Sequence, residues 1–94
     1  MNITISGKEY ALNYNNKALF RIEKELDKPV LDVLSNEKEL SKIHTIYAVI
    51  WGGIDGGITF DEFSDLVKLN DIEGLIPAVM GAINASFDTG EKKK

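Results

Sequence analysis

The chain has 94 residues, a formal charge of −4 and no cysteine. That length suits one domain with a modest core, and the absence of thiols excludes disulfides and thiolate metal sites. Glu91 and the three terminal lysines together contribute +2, so the remaining body carries −6, which argues against nucleic acid as the main partner.

Residues 1–13 are expected to form a β-hairpin. Ile3 and Ile5 alternate with polar residues, as do Tyr10 and Leu12. A two-residue turn at Gly7-Lys8 suits type II′ and pairs Ile5 with Tyr10 and Ile3 with Leu12. All four then share one face, which must pack on something, because a lone hairpin is marginal in water. A helix follows over about 15–27. Asn15 caps it, and Tyr14 with Leu19 forms a hydrophobic staple. Leu19, Ile22 and Leu26 make its apolar stripe, with Arg21, Lys24 and Glu25 on the wet side.

Pro29 suits the first turn of a short helix, Val30 to Leu34. Asn36 and Glu39 are a second capping signal, and one helix is expected from there to about Trp51. Its apolar positions are Leu40, Ile43, Tyr47 and Ile50, widened by Ile46, Val49 and Trp51. The end, IYAVIW, is apolar nearly all round and reads as the central helix of the core. A helix from Phe60 to Val67 turns Phe63, Leu66 and Val67 inward. Asn70-Asp71 reads as a turn. Pro77 is disfavoured deep in a helix, so the last helix is expected to start near Ile76. Val79, Ile83 and Phe87 form its stripe, with Met80 alongside. The fold class is thus mainly α with a short N-terminal hairpin, four to five helices packing around a central apolar one. Residues 1–87 make a single domain and 88–94 a flexible polar tail. Neither a signal peptide nor a membrane span is expected.

The stretch DGGITFDEF, residues 55–63, spaces Asp55, Gly56, Ile58 and Glu62 like the back half of a calcium-binding EF-hand loop. The front half fails. Trp51 and Gly53 stand where two oxygen ligands belong, and neither supplies one. Another reading covers the same residues. Gly52 and Gly53 stop the preceding helix in a left-handed turn, Asp55-Gly56-Gly57 supplies turn chemistry, and Thr59 with Glu62 forms a capping box. No metal or other cofactor is expected.

Catalytic candidates are few. His44 is the single histidine; no companion ligands flank it, and Ser41, three residues earlier, lacks a nucleophile elbow. Asp61, Glu62 and Asp65 suit the positive end of a helix dipole. The glycines at 52, 53, 56 and 57 are not followed by the Lys-Ser/Thr of a phosphate loop. The expectation is a non-enzymatic protein.

The order of the pieces resembles the small tail assembly chaperones of long-tailed bacteriophages and the related small tail proteins of gene transfer agents. The resemblance is carried by the hairpin ITISGKEYALNYN, the helix KALFRIEKEL, the apolar helix with glycines IYAVIWGGI, the capped helix ITFDEFSDLV and a last helix, over about residues 2–87. It implies a binding protein in the cytoplasm of an infected bacterial host. Such proteins attend the tape measure protein, keeping its long helices soluble while tail tube subunits polymerise around it, so the tape measure protein and the tail tube protein are the implied partners. Self-association is implied too; a nucleic-acid or membrane partner is not. Tyr47, Trp51, Met80 and Phe87 are the candidate partner-binding residues, since such side chains are enriched at interfaces; the alternative is that all four are core, where large aromatic side chains dominate as well. A small regulatory or toxin–antitoxin-type interaction domain and a degenerate EF-hand module are the alternative classes. The tail adds one more expectation. Lys92-Lys93-Lys94 requires an adenine-rich run of codons, a slippery site at which a frameshift would extend the chain into a longer product, as the resemblance implies.

Overall fold

The computed structural model describes residues 2–87, without the side chain of Phe87. The expected polar tail at 88–94, its three lysines and the Phe87 side chain therefore lie outside the described residues. Over the described residues the chain is mainly helical, with a two-stranded antiparallel hairpin, β1 (Asn2–Ile5) and β2 (Lys8–Ala11), leading into six helices. These are α1 (Asn16–Leu26), α2 (Val30–Leu34), α3 (Glu37–Leu40), α4 (Ile43–Gly52), α5 (Phe60–Leu66) and α6 (Leu69–Phe87).

The hairpin turns one residue earlier than its sequence suggests. Ser6 and Gly7 both have positive φ, 52° and 80°, which makes the turn type I′ in place of the expected II′ at Gly7-Lys8. Ile3 therefore pairs with Tyr10 and Ile5 with Lys8. The pairing moves by two residues. Because side chains alternate with a period of two, the apolar set stays on its face. Ile3, Ile5 and Leu12 are buried and Tyr10 packs at the edge of the core. Beyond β2 the chain gains a short partner from the far side of α4. Leu12 bridges Ile54, Asn13 N–H donates to Gly53 O (2.7 Å) and Asp55 N–H donates to Ala11 O (2.9 Å).

Asn15 caps α1 by accepting from Ala18 N–H at 3.0 Å. Asp27 closes it in the left-handed region, φ 56°. The single helix expected from Asn36 to Trp51 is in fact two. Asn36 caps only the one-turn α3. Ser41 Oγ then donates to Lys38 O (2.8 Å), and Lys42 N–H reaches Glu39 O, one residue short of the α ladder. Lys42 goes extended, ψ 136°, and α4 starts afresh. Hydroxyls that bond nearby carbonyls compete with the helix in this way.

α4 is the centre of the domain, packing against α1, α3, α5 and α6. Its three sides differ in chemistry. Thr45, Ala48 and Gly52 are buried on one arc, and Gly52 meets Ile22 and Ala18 of α1. Tyr47 and Trp51 meet α5, edge-on to Phe63 and Phe60. Ile46, Val49 and Ile50 turn toward Ile76, Val79 and Met80 of α6. Ile43 falls between these arcs and is exposed, as is Leu66 of α5, although both were expected to face inward.

The end of α4 accounts for all four carbonyls that a helix leaves without internal partners. Val49 O accepts from Tyr14 Oη (2.8 Å), Ile50 O from Gly53 N–H (3.2 Å), Trp51 O from Ile54 N–H (3.0 Å) and Gly52 O from Arg21 Nη2 (2.8 Å). Gly53 has φ −85°, so its role is not the left-handed stop expected of it. Glycine is needed there for room. A Cβ at Gly53 would overlap the Tyr14 ring, and one at Gly52 would overlap Ile22 Cγ1.

α6 corrects two further expectations. It runs unbroken from Leu69 through Pro77, and Asn70-Asp71 lies in its first turn, where Asp71 Oδ2 accepts from Lys68 N–H (3.1 Å). Proline inside a helix costs about 3 kcal/mol. The cost is met by burial on both sides of it. Ile72, Leu75, Val79, Ala82 and Ile83 are all buried, at spacings that hold one face through the proline. Pro77 itself is exposed, so the carbonyl it leaves without an N–H partner lies on the solvent side.

Candidate partner-binding surfaces

The four candidate residues do not meet on one surface. Tyr47 sits in the seam between α4 and α5, its hydroxyl donating to Val67 O at 3.0 Å. Trp51 is half-buried, and its indole N–H donates to Ile58 O at 2.8 Å, closing the 52–58 loop. Met80 is 40% exposed on the opposite side of α4. The Phe87 side chain lies outside the described residues.

Around Met80 the surface is apolar. Leu40 of α3, Ile46, Val49 and Ile50 of α4, and Ile76, Val79 and Met80 of α6 line a narrow groove of about 80 Å³. Ile76, 39% exposed, forms its rim with Met80. From Ile76 to Phe87 the sequence carries no charged residue, in a chain that is 28% charged. The outer side of this half of α6, from Pro77 through Met80, Gly81, Asn84 and Ala85, is therefore uncharged. That combination of groove and uncharged ridge suits a helix laid across it. The uncharged run is the signal in the sequence that marks Ile76. Leu40 and Ile46 become groove residues only because the chain breaks at Ser41-Lys42 and re-aims α4, and no pattern in the sequence announces that.

A second, larger cleft of about 650 Å³ lies between α1 and the loop that follows α4. Trp51, Ile54, Ile58 and Phe60 give it an apolar floor, Arg21, Lys24 and Glu25 one wall, and Asp55 to Gly57 the other. His44 Nε2 hydrogen-bonds Glu25 Oε2 at 2.9 Å and its ring meets Phe60 edge-on, so the histidine buttresses the α1–α4–α5 corner.

The EF-hand-like stretch is built as that corner. Thr59 Oγ1 accepts from Glu62 N–H and Glu62 Oε1 accepts from Thr59 N–H, both at 3.0 Å. The carboxylate that would close a calcium loop is thus held against its own backbone. Among the described residues no group of three or more His, Asp or Glu side chains is placed to hold a metal ion, and no helix is long and apolar enough to cross a membrane. One phenol stands apart: burial pushes the Tyr14 hydroxyl well above its ordinary ionisation range. On the surface, hydrogen bonds from Lys28 and then Lys42 hold the Glu39 carboxyl below its ordinary value.

Comparison with known proteins adds no relative: no protein-family model, no curated protein and no solved structure matches the chain.

Proposed function

We propose that this chain is a non-enzymatic tail assembly chaperone, which holds helical segments of a tape measure protein, and contacts tail tube subunits, while a phage tail is built. The observation that carries the reading is the apolar groove edged by Ile76 and Met80, continued by the uncharged outer side of α6. A groove of this kind takes the apolar stripe of an amphipathic helix, and its exposed methionine adapts to varied side chains. The order of sequence pieces, from ITISGKEYALNYN to the last helix, supports the same reading. The groove is also the surface through which copies of the chain would associate when no partner is bound, since an exposed apolar patch tends to be covered.

Co-expression tests the proposal. A tape measure protein from the same tail-gene cluster should be soluble and co-purify with the wild-type chain. Met80→Lys, at an exposed position, should leave the melting temperature within about 2–4 °C, the span of a ~0.5 kcal/mol surface change, and abolish co-purification. A tape measure protein equally soluble without this chain, or held equally well by the Met80→Lys variant, would overturn the reading.

A further inference from the structure

The cleft between α1 and the 52–58 loop is separate from the α6 groove, and its surroundings carry a different chemistry. Lys17, Phe20, Arg21 and Lys24 recur at helical spacing and form one continuous arc on the outer side of α1. Phe20 is 64% exposed in the middle of it, and Lys17 and Lys24 are exposed. Neither lysine has a partner among the described residues. Arg21 donates to Gly52 O, which holds its positive charge at the mouth of the cleft.

The nearest acids stand at the other end of this arc or across the cleft. Glu25 is hydrogen-bonded to His44, Asp27 is the C-cap of α1, and Asp55 belongs to the opposite wall. Glu23 is turned away to accept from Val30 N–H at 2.9 Å. One side of α1, from Lys17 to Lys24, therefore presents three cations and an open aromatic ring on a body of net charge −6.

An apolar cleft bordered by a cationic, aromatic ridge is complementary to one kind of occupant. We infer that it docks an acidic amphipathic helix of a partner protein, independently of the α6 groove. An apolar side chain of that helix would enter the cleft over Trp51, Ile58 and Phe60, and its carboxylates would lie over Lys17, Arg21 and Lys24. At about 650 Å³ the cleft is within the ~300–1,000 Å³ range of sites that enclose a ligand group. Lysines and arginine at the rim steer an acidic segment and reject a basic one, and the apolar floor supplies the affinity.

Trp51 is the one tryptophan of the chain and lines this cleft, so its fluorescence reports occupancy directly. The probe is a synthetic helix of about 15 residues, roughly four turns, with leucines on one side and glutamates beside them; a second peptide replaces each glutamate with lysine. The acidic peptide should shift Trp51 emission saturably, and the basic peptide should not. Raising salt from ~0.1 to ~1 M, which shortens the Debye length from ~10 to ~3 Å, should weaken the binding. Lys17→Glu with Lys24→Glu, both at exposed positions, should weaken it roughly tenfold or more without changing the melting temperature. Met80→Lys should leave it unaltered, which separates this site from the α6 groove. Equal response to both peptides, no response to either, or full affinity in the double variant would overturn the inference. So would a salt-sensitive dimer that forms through this ridge without peptide, which would make a second copy the occupant.

Discussion

Tyr14→Phe probes the joint that holds α4 to the hairpin and α1. The tyrosine is buried, its ring fills the space left by Gly53, and its hydroxyl supplies the hydrogen bond that Val49 O would otherwise lack. Phenylalanine keeps the ring and removes the donor. A buried carbonyl left without its partner costs about 1–3 kcal/mol, so the variant should unfold at lower urea with an unchanged slope against denaturant. The same hydroxyl has a pH signature. Its ordinary value is 10.0 and burial raises it in the folded chain. In the unfolded chain Tyr14 therefore ionises first. Its stabilising effect is whole below pH 10 and declines as pH rises toward the folded value, by up to about 1.4 kcal/mol per pH unit. Phenylalanine has nothing to ionise. The gap between wild type and variant should be widest near about pH 8 and narrower by about 1.4 kcal/mol near pH 11. Urea titrations followed by circular dichroism at the two pH values measure it. No gap at the lower pH, or the same gap at both, would refute the reasoning.

Gly53→Ala attacks the same joint from the other side. Its Cβ falls on a ring that is buried and hydrogen-bonded in place, so a loss of about 1–3 kcal/mol is expected in a denaturant titration. Thr59→Ala should cost about 1 kcal/mol, read as a fall of about 4–8 °C in melting temperature, while Glu62→Gln should be nearly neutral because glutamine still serves the capping box. Glu39→Gln should flatten the acid side of the stability profile. The folded-state value of Glu39 is depressed, so its contribution is present above the ordinary carboxylate value and is lost as pH falls through the folded one.

The elements readable in the sequence were those fixed by local chemistry. Asn15, Asn36 and Thr59 accept from the backbone N–H groups that their positions promised, because a cap needs only its own next three residues. The sheet face was also readable, since a turn displaced by one residue leaves the period of two intact. What escaped depends on partners distant in the chain. Pro77 argued for a helix start, yet the apolar residues on either side of it share one buried face, and that tertiary burial carried α6 through. The break at Ser41-Lys42 turns on a side-chain hydrogen bond that competes narrowly with the helix ladder. Gly52 and Gly53 looked like conformational stops; only the approach of Ile22 and Tyr14 explains why nothing larger fits. For the surfaces, residue type singles out Met80, Trp51 and Tyr47 alike, and the structure leaves Met80 exposed. Trp51 and Tyr47 place their polar atoms inside the domain, on Ile58 O and Val67 O, a pairing that no local pattern announces.

The proposal that the α6 groove receives a partner helix is best measured by a methyl titration. Methyl groups of the isoleucines and methionines would be followed by NMR while a soluble helical fragment of a tape measure protein is added. The resonances of Ile46, Ile76 and Met80, which line the groove, should shift together and saturate, while those of Ile3 and Ile22, buried elsewhere in the core, stay in place. Shifts confined to other methyls, or none at a fragment concentration that keeps the tape measure soluble, would contradict it.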